Sequence, residues 1–385
     1  MEREGLIYLD NAATGFPKPE IVTLAVERFM RYEGGNAGRG AHPLAMASAR
    51  RIFECREKLS ELFDASGSDR VCFVMNTTQG LNLCIKGLLK QGDRVIISDM
   101  EHNAVYRPLY KLKSRGVIEL DVFSTMINNP HRSAESICAN IMGLVKKNTK
   151  MIVCTAASNI SSVPMPIREI GALCKRLGIY FVVDGAQIAG HRSISVKDMH
   201  IDALCVPGHK GLLGPQGCGA VILGEGITPS TLIEGGNGVD SLDGEMSHES
   251  PERYEAGTLP APVICGLYAG IDVVNQLGLE RIDDHEKCLF RRTRERLKNM
   301  KGVYMYTPEY EGAVLCFNVL GRSSEEIARL LGEQGVCVRG GYHCNALGHR
   351  TLGTSDGGAV RVSFGPFNSS GEIDAFCDRL WNIIK

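Results

Sequence analysis

Four short polar segments directly follow apolar, β-branched runs of the kind that form buried strands. They carry side chains able to bind or transform a small molecule: Thr77 and Thr78, His102, Asp184 and Gln187, and His209 and Lys210. In parallel α/β sheets, ligands bind in the crevice outside the carboxyl ends of the strands. We therefore expect these side chains to gather at one edge of a sheet.

Lys210 lies between glycines at the end of an apolar run, in the segment 208–211. A lysine that is partly desolvated has a lowered pKa and can form a Schiff base with an aldehyde. A single loop lysine is more often structural, so the prediction of this chemistry depends on its neighbours.

Two further segments supply those neighbours. Asp184 ends a very apolar strand, and burying a carboxylate without a cationic partner is unfavourable, so a positively charged ligand atom is expected beside it. Thr77 and Thr78 begin a helix, where hydroxyls and free backbone N–H groups can hold a phosphate. Each segment alone could equally be a helix N-cap. Together with Lys210 they predict pyridoxal 5'-phosphate (PLP), whose aldehyde needs a lysine, whose pyridinium nitrogen needs an acid and whose phosphate fits a helix end.

Cys344 stands out among the fourteen cysteines. No two cysteines form a CxxC pair, which argues against zinc-ribbon and thioredoxin-like sites. Dispersed cysteines in a chain of this length are mostly small buried apolar residues in a reducing compartment. Cys344 instead follows a glycine pair and has His343, Arg339 and Arg350 nearby, and basic surroundings favour the thiolate. It is therefore predicted to be a nucleophile, with a buried structural cysteine as the alternative.

The elements that must position these residues alternate along the chain. Predicted strands are 71–75, 94–98, 150–156, 179–184, 202–206 and 219–224, and predicted helices are 17–32, 42–63, 78–90, 103–114, 133–147 and 166–177. Continuous apolar strands separated by amphipathic helices are typical of a mostly parallel sheet with helices on both faces, in which the last strand could pair antiparallel. After about residue 245, helices at 261–278, 280–300, 323–334 and 371–384 alternate with short strands, which predicts a smaller α+β unit.

Composition limits the class of protein. The chain has 385 residues, with 43 Lys and Arg against 44 Asp and Glu, and is 44% hydrophobic and 23% charged. These values argue against a disordered, collagen-like or strongly basic nucleic-acid-binding chain. No apolar run approaches the roughly 20 residues that span a bilayer, and no signal-peptide core follows the N-terminus. The sequence therefore predicts a cytoplasmic protein with no nucleic-acid partner, no membrane association and no metal site.

Ten motifs spread over almost the whole chain connect these features to a known family. They are YLDNAATGFPKP, RGAH (39–42), NTTQGLN, EHNA, SN (158–159), VDGAQ, GHKGLLGPQGCG, RYEAGTLP, VRGGYHC and VRVSFGPFN. Through them the sequence resembles the class V aminotransferase-like PLP enzymes, in particular the cysteine desulfurase and selenocysteine lyase group. The resemblance implies an α/β architecture, the PLP-dependent transferase fold of type I. A large domain, 16–278, would hold a mostly parallel seven-stranded sheet between helices, and 1–15 with 279–385 would form a smaller α+β domain carrying the cysteine loop.

The resemblance also implies a role for each matching residue. Those assigned to the cofactor are Lys210, which would form the Schiff base, His102 against the ring, Asp184 at the ring nitrogen, Gln187 at the phenolic oxygen, and Thr77, Thr78 and His209 at the phosphate. Gly257 and Thr258 would reach the phosphate of a second subunit, so a homodimer is expected. Asn159 and Arg361 would hold the substrate carboxylate, His42 and Arg339 would also lie at the substrate, and Cys344 would take the sulfur.

Two departures from the family pattern bear on this site. The family usually has a hydroxyl residue three positions before the lysine, where this chain has Pro207, which predicts weaker PLP binding or a replacement contact. Many relatives have two histidines before the cysteine and alanine after it, whereas Tyr342, His343 and Asn345 surround Cys344 here. The nucleophile keeps its place, and fine specificity stays open.

Three functions remain open at this point. The first is a PLP-dependent cysteine desulfurase, which converts L-cysteine to L-alanine and holds a persulfide on Cys344 for an acceptor protein in iron–sulfur or other sulfur-requiring pathways. The second keeps the cofactor and is a selenocysteine lyase acting on L-selenocysteine, another C–S lyase or an aminotransferase. The third is a non-catalytic sulfur-carrier scaffold, against which Lys210, Asp184 and His102 argue.

Overall fold

The computed structural model describes residues 5–38, 40–239 and 241–385. Arg39 of the RGAH motif and residues 1–4 of the predicted small domain lie outside the described residues. The strands are β1 (Ile7–Tyr8), β2 (Val71–Val74), β3 (Arg94–Ser98), β4 (Glu119–Phe123), β5 (Thr149–Thr155), β6 (Tyr180–Asp184), β7 (Ala203–Pro207), β8 (Gly219–Leu223), β9 (Val303–Tyr306), β10 (Val314–Val319), β11 (Val336–Cys337) and β12 (Val360–Ser363). The helices are α1 (Glu20–Arg28), α2 (Pro43–Leu62), α3 (Thr77–Leu88), α4 (Asn103–Ser114), α5 (Ala134–Leu144), α6 (Ile167–Leu177), α7 (Ala261–Leu277), α8 (Leu279–Lys298), α9 (Ser324–Glu333), α10 (Ala346–Thr351) and α11 (Ser370–Ile384).

A seven-stranded sheet in the order β2-β8-β7-β6-β5-β3-β4 forms the centre of the larger part of the molecule. β8 pairs antiparallel with both β7 and β2, and the other neighbouring strands pair parallel. Strands β2, β3, β7 and β8 are buried along their whole length, as expected for a sheet covered on both faces. The predicted α/β architecture and the antiparallel pairing of the last strand are confirmed.

The direction of β2 matters for the site. Because β8 is antiparallel to both of its neighbours, β2 and β7 point the same way, and their carboxyl ends meet at one edge with those of β3 and β6. The four polar segments singled out in the sequence follow these four strands. The topology therefore brings them to a single edge of the sheet.

Helices cover both faces of this sheet. Ile52 of α2, Ile170 of α6 and Ile264 of α7 belong to one buried cluster with the sheet, and Leu81 of α3 and Leu109 of α4 belong to a second cluster. The apolar helix α7 packs against α1 and α2, so its apolar face is explained within the chain. No single helix among the described residues is long and apolar enough to span a membrane, and only the bent pair α7 and α8 reaches that length and composition jointly.

The smaller part of the molecule combines residues that are far apart in sequence. β9, β10 and β12 form an antiparallel sheet, and β1 pairs parallel with β11. Ile7 and Leu9 lie in the same buried cluster as Phe317 and Phe376. This packing agrees with a small domain built from both 1–15 and 279–385, whose boundaries stay a prediction.

Several elements differ from the sequence prediction. β4 was not expected, because it is an edge strand that pairs only with β3 and has Glu119 exposed, so it lacks a continuous apolar run. α1 begins at Glu20 rather than 17, because the helix starts directly after Pro19, and it passes at Phe29 into a π-helical turn. β1 and β9 are too short or too mixed in polarity to give a periodic signal.

Candidate active site

An open cleft with about 510 Å³ of empty volume lies at the carboxyl edge of the sheet. Its lining includes eight of the residues predicted from the sequence: Thr77, Thr78, His102, Asn159, Asp184, Gln187, His209 and Lys210. The loops after β2, β3, β5, β6 and β7 supply them, as the strand order requires. The structure thus brings together the lysine, the acid and the helix N-terminus that the sequence placed far apart.

Lys210 follows β7 in a turn closed by the bond from Leu213 N to the Lys210 carbonyl, 3.0 Å. Burial lowers the pKa of Lys210 to about 8, with a partly offsetting effect from the Asp184 carboxylate. The N-terminal segment packs tightly on this turn, because a Cβ on Gly15 would lie 2.7 Å from the Lys210 carbonyl oxygen. The amine is therefore desolvated and the backbone turn that carries it is held in place, as a nucleophilic lysine requires.

Asp184 lies at the end of β6 and is only 3% exposed. Its carboxylate accepts a hydrogen bond from Ala186 N at 2.9 Å. Burial raises the pKa of Asp184, although Lys210 acts in the opposite direction. A bound cation beside this carboxylate would remove that penalty, and a pyridinium nitrogen fits this role.

The N-terminus of α3 also lines the cleft. Asn76 caps the helix, its Oδ1 accepting from Gln79 N at 3.0 Å. The hydroxyl of Thr77 is buried and has no hydrogen-bond partner among the described residues. Because a buried hydroxyl without a partner is unfavourable, it fits a ligand that brings an acceptor, and a phosphate at a helix N-terminus is such a ligand. Pro207 lines the same cleft without offering a donor.

His209 and Gln187 are tied to the N-terminal segment. The Nδ1 atom of His209 lies 3.1 Å from Thr14 Oγ1, and Gln187 Nε2 donates to Ala12 O at 3.0 Å. Burial lowers the pKa of His209 to about 4, helped by the nearby charge of Lys210. The segment 12–15 therefore fixes two residues predicted to contact the cofactor.

His102 caps the N-terminus of α4. Its Nδ1 accepts from Ala104 N at 3.0 Å, which leaves the proton of the neutral ring on Nε2. Burial, together with the charges of Lys210, Arg339 and Arg361, lowers the pKa of His102 to about 4. The ring is therefore neutral and held in one tautomer at physiological pH.

Arg361 lies at the junction of the two parts of the molecule and is 1% exposed. One of its amino groups donates to Asp10 Oδ1 at 2.5 Å, and the other donates to Asn159 O at 3.2 Å. Its Nε is buried without a partner among the described residues. Backbone bonds join Arg339 to Arg361, so both arginines lie on neighbouring segments. Arg361 retains donor capacity that a substrate carboxylate can use.

Cys344 is exposed, whereas most of the other cysteines are buried. Its carbonyl accepts from Asn103 N at 2.7 Å, next to the cleft residue His102. Asn159, which lines the cleft, donates through Nδ2 to His343 O at 2.7 Å. Although Cys344 itself does not line the cleft, its loop is bonded directly to residues that do.

A buried pair of histidines packs against the loop that contains Cys344. His343 and His349 stack with ring centroids 5.4 Å apart, and His343 Nδ1 lies 3.2 Å from His349 Nε2. His343 Nε2 donates to Arg339 O at 3.1 Å, and Thr354 Oγ1 lies 2.7 Å from His349 Nδ1. Burial lowers the pKa of His343 to about 3 and that of His349 to about 4, so both rings are neutral.

Three predicted site residues lie elsewhere. Gly257 and Thr258 are exposed and line a second, larger cavity together with Asn36 and Asn237. His42 is an exposed N-cap of α2, its Nδ1 accepting from Ala45 N at 3.3 Å. None of the three lines the cleft that contains Lys210.

The sequence prediction missed two side chains of this region. Asp10 pairs with Arg361 across 351 positions, and only its place in the YLDNAAT motif marked it. Asn345 was noted solely as a departure from the family pattern, yet it is completely buried and hydrogen-bonded to Asn159. The sequence therefore marked Asn345 as unusual but did not indicate that Asn159 is its hydrogen-bond partner.

Comparisons with known proteins show to which family the chain belongs. The family model "Aminotransferase class-V" matches residues 7–376. The chain is 31% identical to a probable cysteine desulfurase of Methanothermobacter thermautotrophicus, over 98% of this chain and 94% of that protein. It is 31% identical to a cysteine desulfurase of Serratia proteamaculans, over 88% of this chain and 84% of that protein. The apo structure of a cysteine desulfurase from Thermococcus onnurineus NA1 is similar with a TM-score of 0.89 and 30% identity, over 98% of this chain and 94% of that one.

Proposed function

Since this chain belongs to the aminotransferase class-V family, we propose that it is a PLP-dependent cysteine desulfurase. It would convert L-cysteine to L-alanine and keep the sulfur as a persulfide on Cys344. One observation carries the proposal: an exposed cysteine is bonded through its loop to the wall of the cleft that holds Lys210 and Asp184. A general PLP enzyme has no need of a thiol in that position.

The residues of the cleft fit PLP. Those that would hold it are Lys210 at the aldehyde, Asp184 at the ring nitrogen, Gln187 at the phenolic oxygen, His102 against the ring, and Thr77, Thr78 and His209 at the phosphate. When bound, PLP supplies an electron sink for the substrate amino acid. The Thr77 hydroxyl is buried without a hydrogen-bond partner in the part of the chain that the structure describes, and burial raises the pKa of Asp184; a bound PLP would relieve both penalties.

The chain's own residues account for binding and proton transfer. Arg361 would orient the substrate carboxylate through charge-assisted hydrogen bonds, with Asn159 and Arg339 beside it. Lys210, whose pKa is lowered to about 8, is a base suited to take the proton from the substrate Cα near neutral pH. His102, neutral and fixed by Ala104 N, would carry its Nε2 proton towards the substrate.

Sulfur transfer would then depend on Cys344. Its thiolate attacks the substrate Sγ, a new S–S bond forms, and the Cβ–S bond breaks. The electron pair of that bond goes to the substrate Cβ, which takes up a proton. Lys210 then returns a proton to Cα, and the product leaves as L-alanine. The persulfide remains on an exposed residue, where an acceptor protein can reach it. The identity of that acceptor, like the cytoplasmic location, stays a prediction.

A second subunit would complete each site. Gly257, Thr258 and His42 are exposed and lie outside the lining of their own chain's cleft, as expected for residues that serve a neighbouring cleft. The first two face the larger cavity, on a surface shared with the segment 34–38. This arrangement supports a homodimer in which the phosphate is contacted from both chains.

The test measures where the sulfur goes. Purified protein with PLP is given L-cysteine, and alanine, sulfide and cysteine-bound persulfide are quantified with and without a thiol reductant, with L-selenocysteine in parallel. We expect alanine from L-cysteine and a persulfide that maps to Cys344. The Cys344→Ser variant should still change its visible spectrum with L-cysteine while forming no persulfide.

The matched control is Cys288→Ser, because Cys288 is also exposed. That variant should retain the wild-type rate of persulfide formation. Persulfide formed by Cys344→Ser at the wild-type rate would contradict the proposed mechanism. Alanine from L-selenocysteine alone would instead identify a selenocysteine lyase.

A further inference from the structure

The backbone of the cysteine loop is in an unusual conformation. His343 and Cys344 have φ angles of 51° and 55°, so two consecutive residues with side chains occupy the left-handed region. Non-glycine residues persist there only where the surroundings hold them. The structure must therefore contain side chains that fix this segment.

Asn345, the next residue, makes three side-chain hydrogen bonds that fix this segment. It is 0% exposed and uses both ends of its amide. Its Nδ2 donates to Met100 O at 3.1 Å and to Asn159 Oδ1 at 2.8 Å, while its Oδ1 accepts from Gly348 N at 2.8 Å. Both amide protons are therefore bonded to the large sheet-containing part of the molecule.

Neighbouring bonds continue the same attachment. Asn159 accepts from Asn345 and donates to His343 O at 2.7 Å, so one amide pair holds the backbone on both sides of Cys344. Asn103 N holds the Cys344 carbonyl itself at 2.7 Å. Gly348 permits the close approach, because a Cβ there would lie 2.7 Å from Asn345 Oδ1.

A simple helix cap explains only part of this arrangement. Asn345 does cap α10 through Oδ1, but that role leaves Nδ2 unused. The two Nδ2 bonds instead reach residues that follow β3 and β5, on the edge of the cleft. They hold the loop against the cleft without contributing to the helix.

We propose that Asn345 is a positioning residue that holds Cys344 at the cleft, in register with the substrate sulfur. This inference rests on the proposed function and deepens it. Without the amide, the loop would lose its attachment and Cys344 would leave the geometry needed to attack Sγ. Binding of PLP would remain, and L-cysteine would still be held because Arg361 supplies the charge for its carboxylate, although Asn159 loses one of its bonds.

The test compares Asn345→Ser with Asn345→Ala. Serine retains an N-cap oxygen for α10 but lacks both Nδ2 donors, so it separates capping from attachment. Both variants should slow persulfide formation in a single turnover by on the order of 100-fold, as expected when a reacting group is misplaced by about 1 Å. The spectral change on adding L-cysteine should keep its wild-type amplitude and half-saturation. The control is Asn140→Ala, which removes a side-chain bond on the distant helix α5.

A second variant leaves Asn345 in place. Gly348→Ala puts a methyl group against Asn345 Oδ1 and should slow persulfide formation while binding is retained. Wild-type rates in Asn345→Ser or in Gly348→Ala would overturn the inference. Hydrogen exchange of the amides of 341–347 gives a readout that is independent of activity: faster exchange in Asn345→Ser supports the attachment, and unchanged exchange overturns it. If the wild-type protein forms no persulfide, the proposed function fails, and the exchange comparison still decides the role of Asn345.

Discussion

Lys210 and Lys18 are two half-buried lysines on neighbouring segments, and desolvation lowers the pKa of each to about 8. Of the two, only Lys210 lines the cleft, whereas Lys18 donates through Nζ to His209 O at 2.7 Å. Because the two lysines have similar pKa values and different places in the structure, a low pKa alone does not identify the lysine that is predicted to react.

The pKa of Lys210 predicts how the protein takes up PLP. The neutral amine attacks the aldehyde, so the loading rate of the cofactor-free protein should rise with pH and level off above about 8. The measurement is the rate of visible absorbance after mixing with PLP between pH 6 and pH 10. Borohydride reduction and peptide mapping should place the cofactor on Lys210, with Lys18→Met as the control that still loads. A rate still rising at pH 10, or a label on Lys18, would contradict the prediction.

Arg361 predicts a selective loss of substrate binding. Arg361→Lys keeps the charge but loses the planar fork, and a hydrogen bond to a charged group is worth about 1.5–3 kcal/mol, or about 10- to 100-fold. We expect kcat/KM for L-cysteine to fall by that factor while PLP occupancy, measured by absorbance, is unchanged. The conservative variant avoids leaving Asp10 without its partner. An unchanged kcat/KM would remove Arg361 from the substrate site.

Residues of the cleft were identified in the sequence by their chemistry and by resemblance to the family. The prediction was most successful for residues at the ends of predicted strands. Lys210, Asp184 and Thr77 met as predicted because each follows a strand whose direction the apolar runs indicated. Asp10 and Asn345 were missed because their partners lie far away in the chain, and a pairwise contact between side chains leaves no periodic signal.

At the level of elements, α8 is joined to the loop after β6 by charged side chains. His191 Nδ1 lies 2.8 Å from Glu286 Oε1, and Arg192 pairs with Asp283 at 2.7 Å. Burial lowers the pKa of His191, but the Glu286 carboxylate more than offsets this, so the pKa is raised above its usual 6.5. The protonated ring therefore contributes stability that is fully present below pH 6.5 and is lost as pH rises through the raised pKa.

This pair predicts a pH-dependent effect on folding. His191→Ala leaves Glu286, which is 1% exposed, without its partner, and should lower the free energy of unfolding by about 3 kcal/mol. Urea unfolding at pH 6 and at pH 8.5 should show the larger difference from wild type at pH 6. The control is the exposed His131→Ala, which should be neutral at both pH values. A difference that grows with pH would contradict the assignment.

The elements themselves were predicted best where burial is complete. β3 and β7 have every residue buried, and their apolar runs marked them within one or two positions. β4 was not predicted because it is an edge strand with only part of its residues buried, and Glu119 and Asp121 interrupt the run of apolar residues. The predicted start of α1 was three residues too early, because the apolar pattern alone does not show which of the residues around Pro17 and Pro19 begins the helix.

At the scale of the whole molecule, the exposed position of Gly257 and Thr258 outside their own chain's cleft leads us to expect active sites that are shared between two chains. Lys210→Ala and Thr258→Asp should each be inactive, the second because its carboxylate would repel the phosphate of the neighbouring subunit. When the two variants are unfolded together and refolded, half of the dimers contain one intact site, so about a quarter of the wild-type activity should return. Each variant refolded alone is the control. Full inactivity of the mixture, or a monomer in sedimentation with full activity, would contradict shared sites.

The pairing of β1 with β11 and of Asp10 with Ser363 has a consequence for synthesis. Residues 7–10 are synthesised more than three hundred residues before these partners. The segment that clamps the lysine turn, with Gly15 against Lys210, therefore cannot be anchored at both ends in a nascent chain. The larger sheet can form during translation, whereas the segment against the lysine turn is held on both sides only after β11 and β12 have been made and have paired with it.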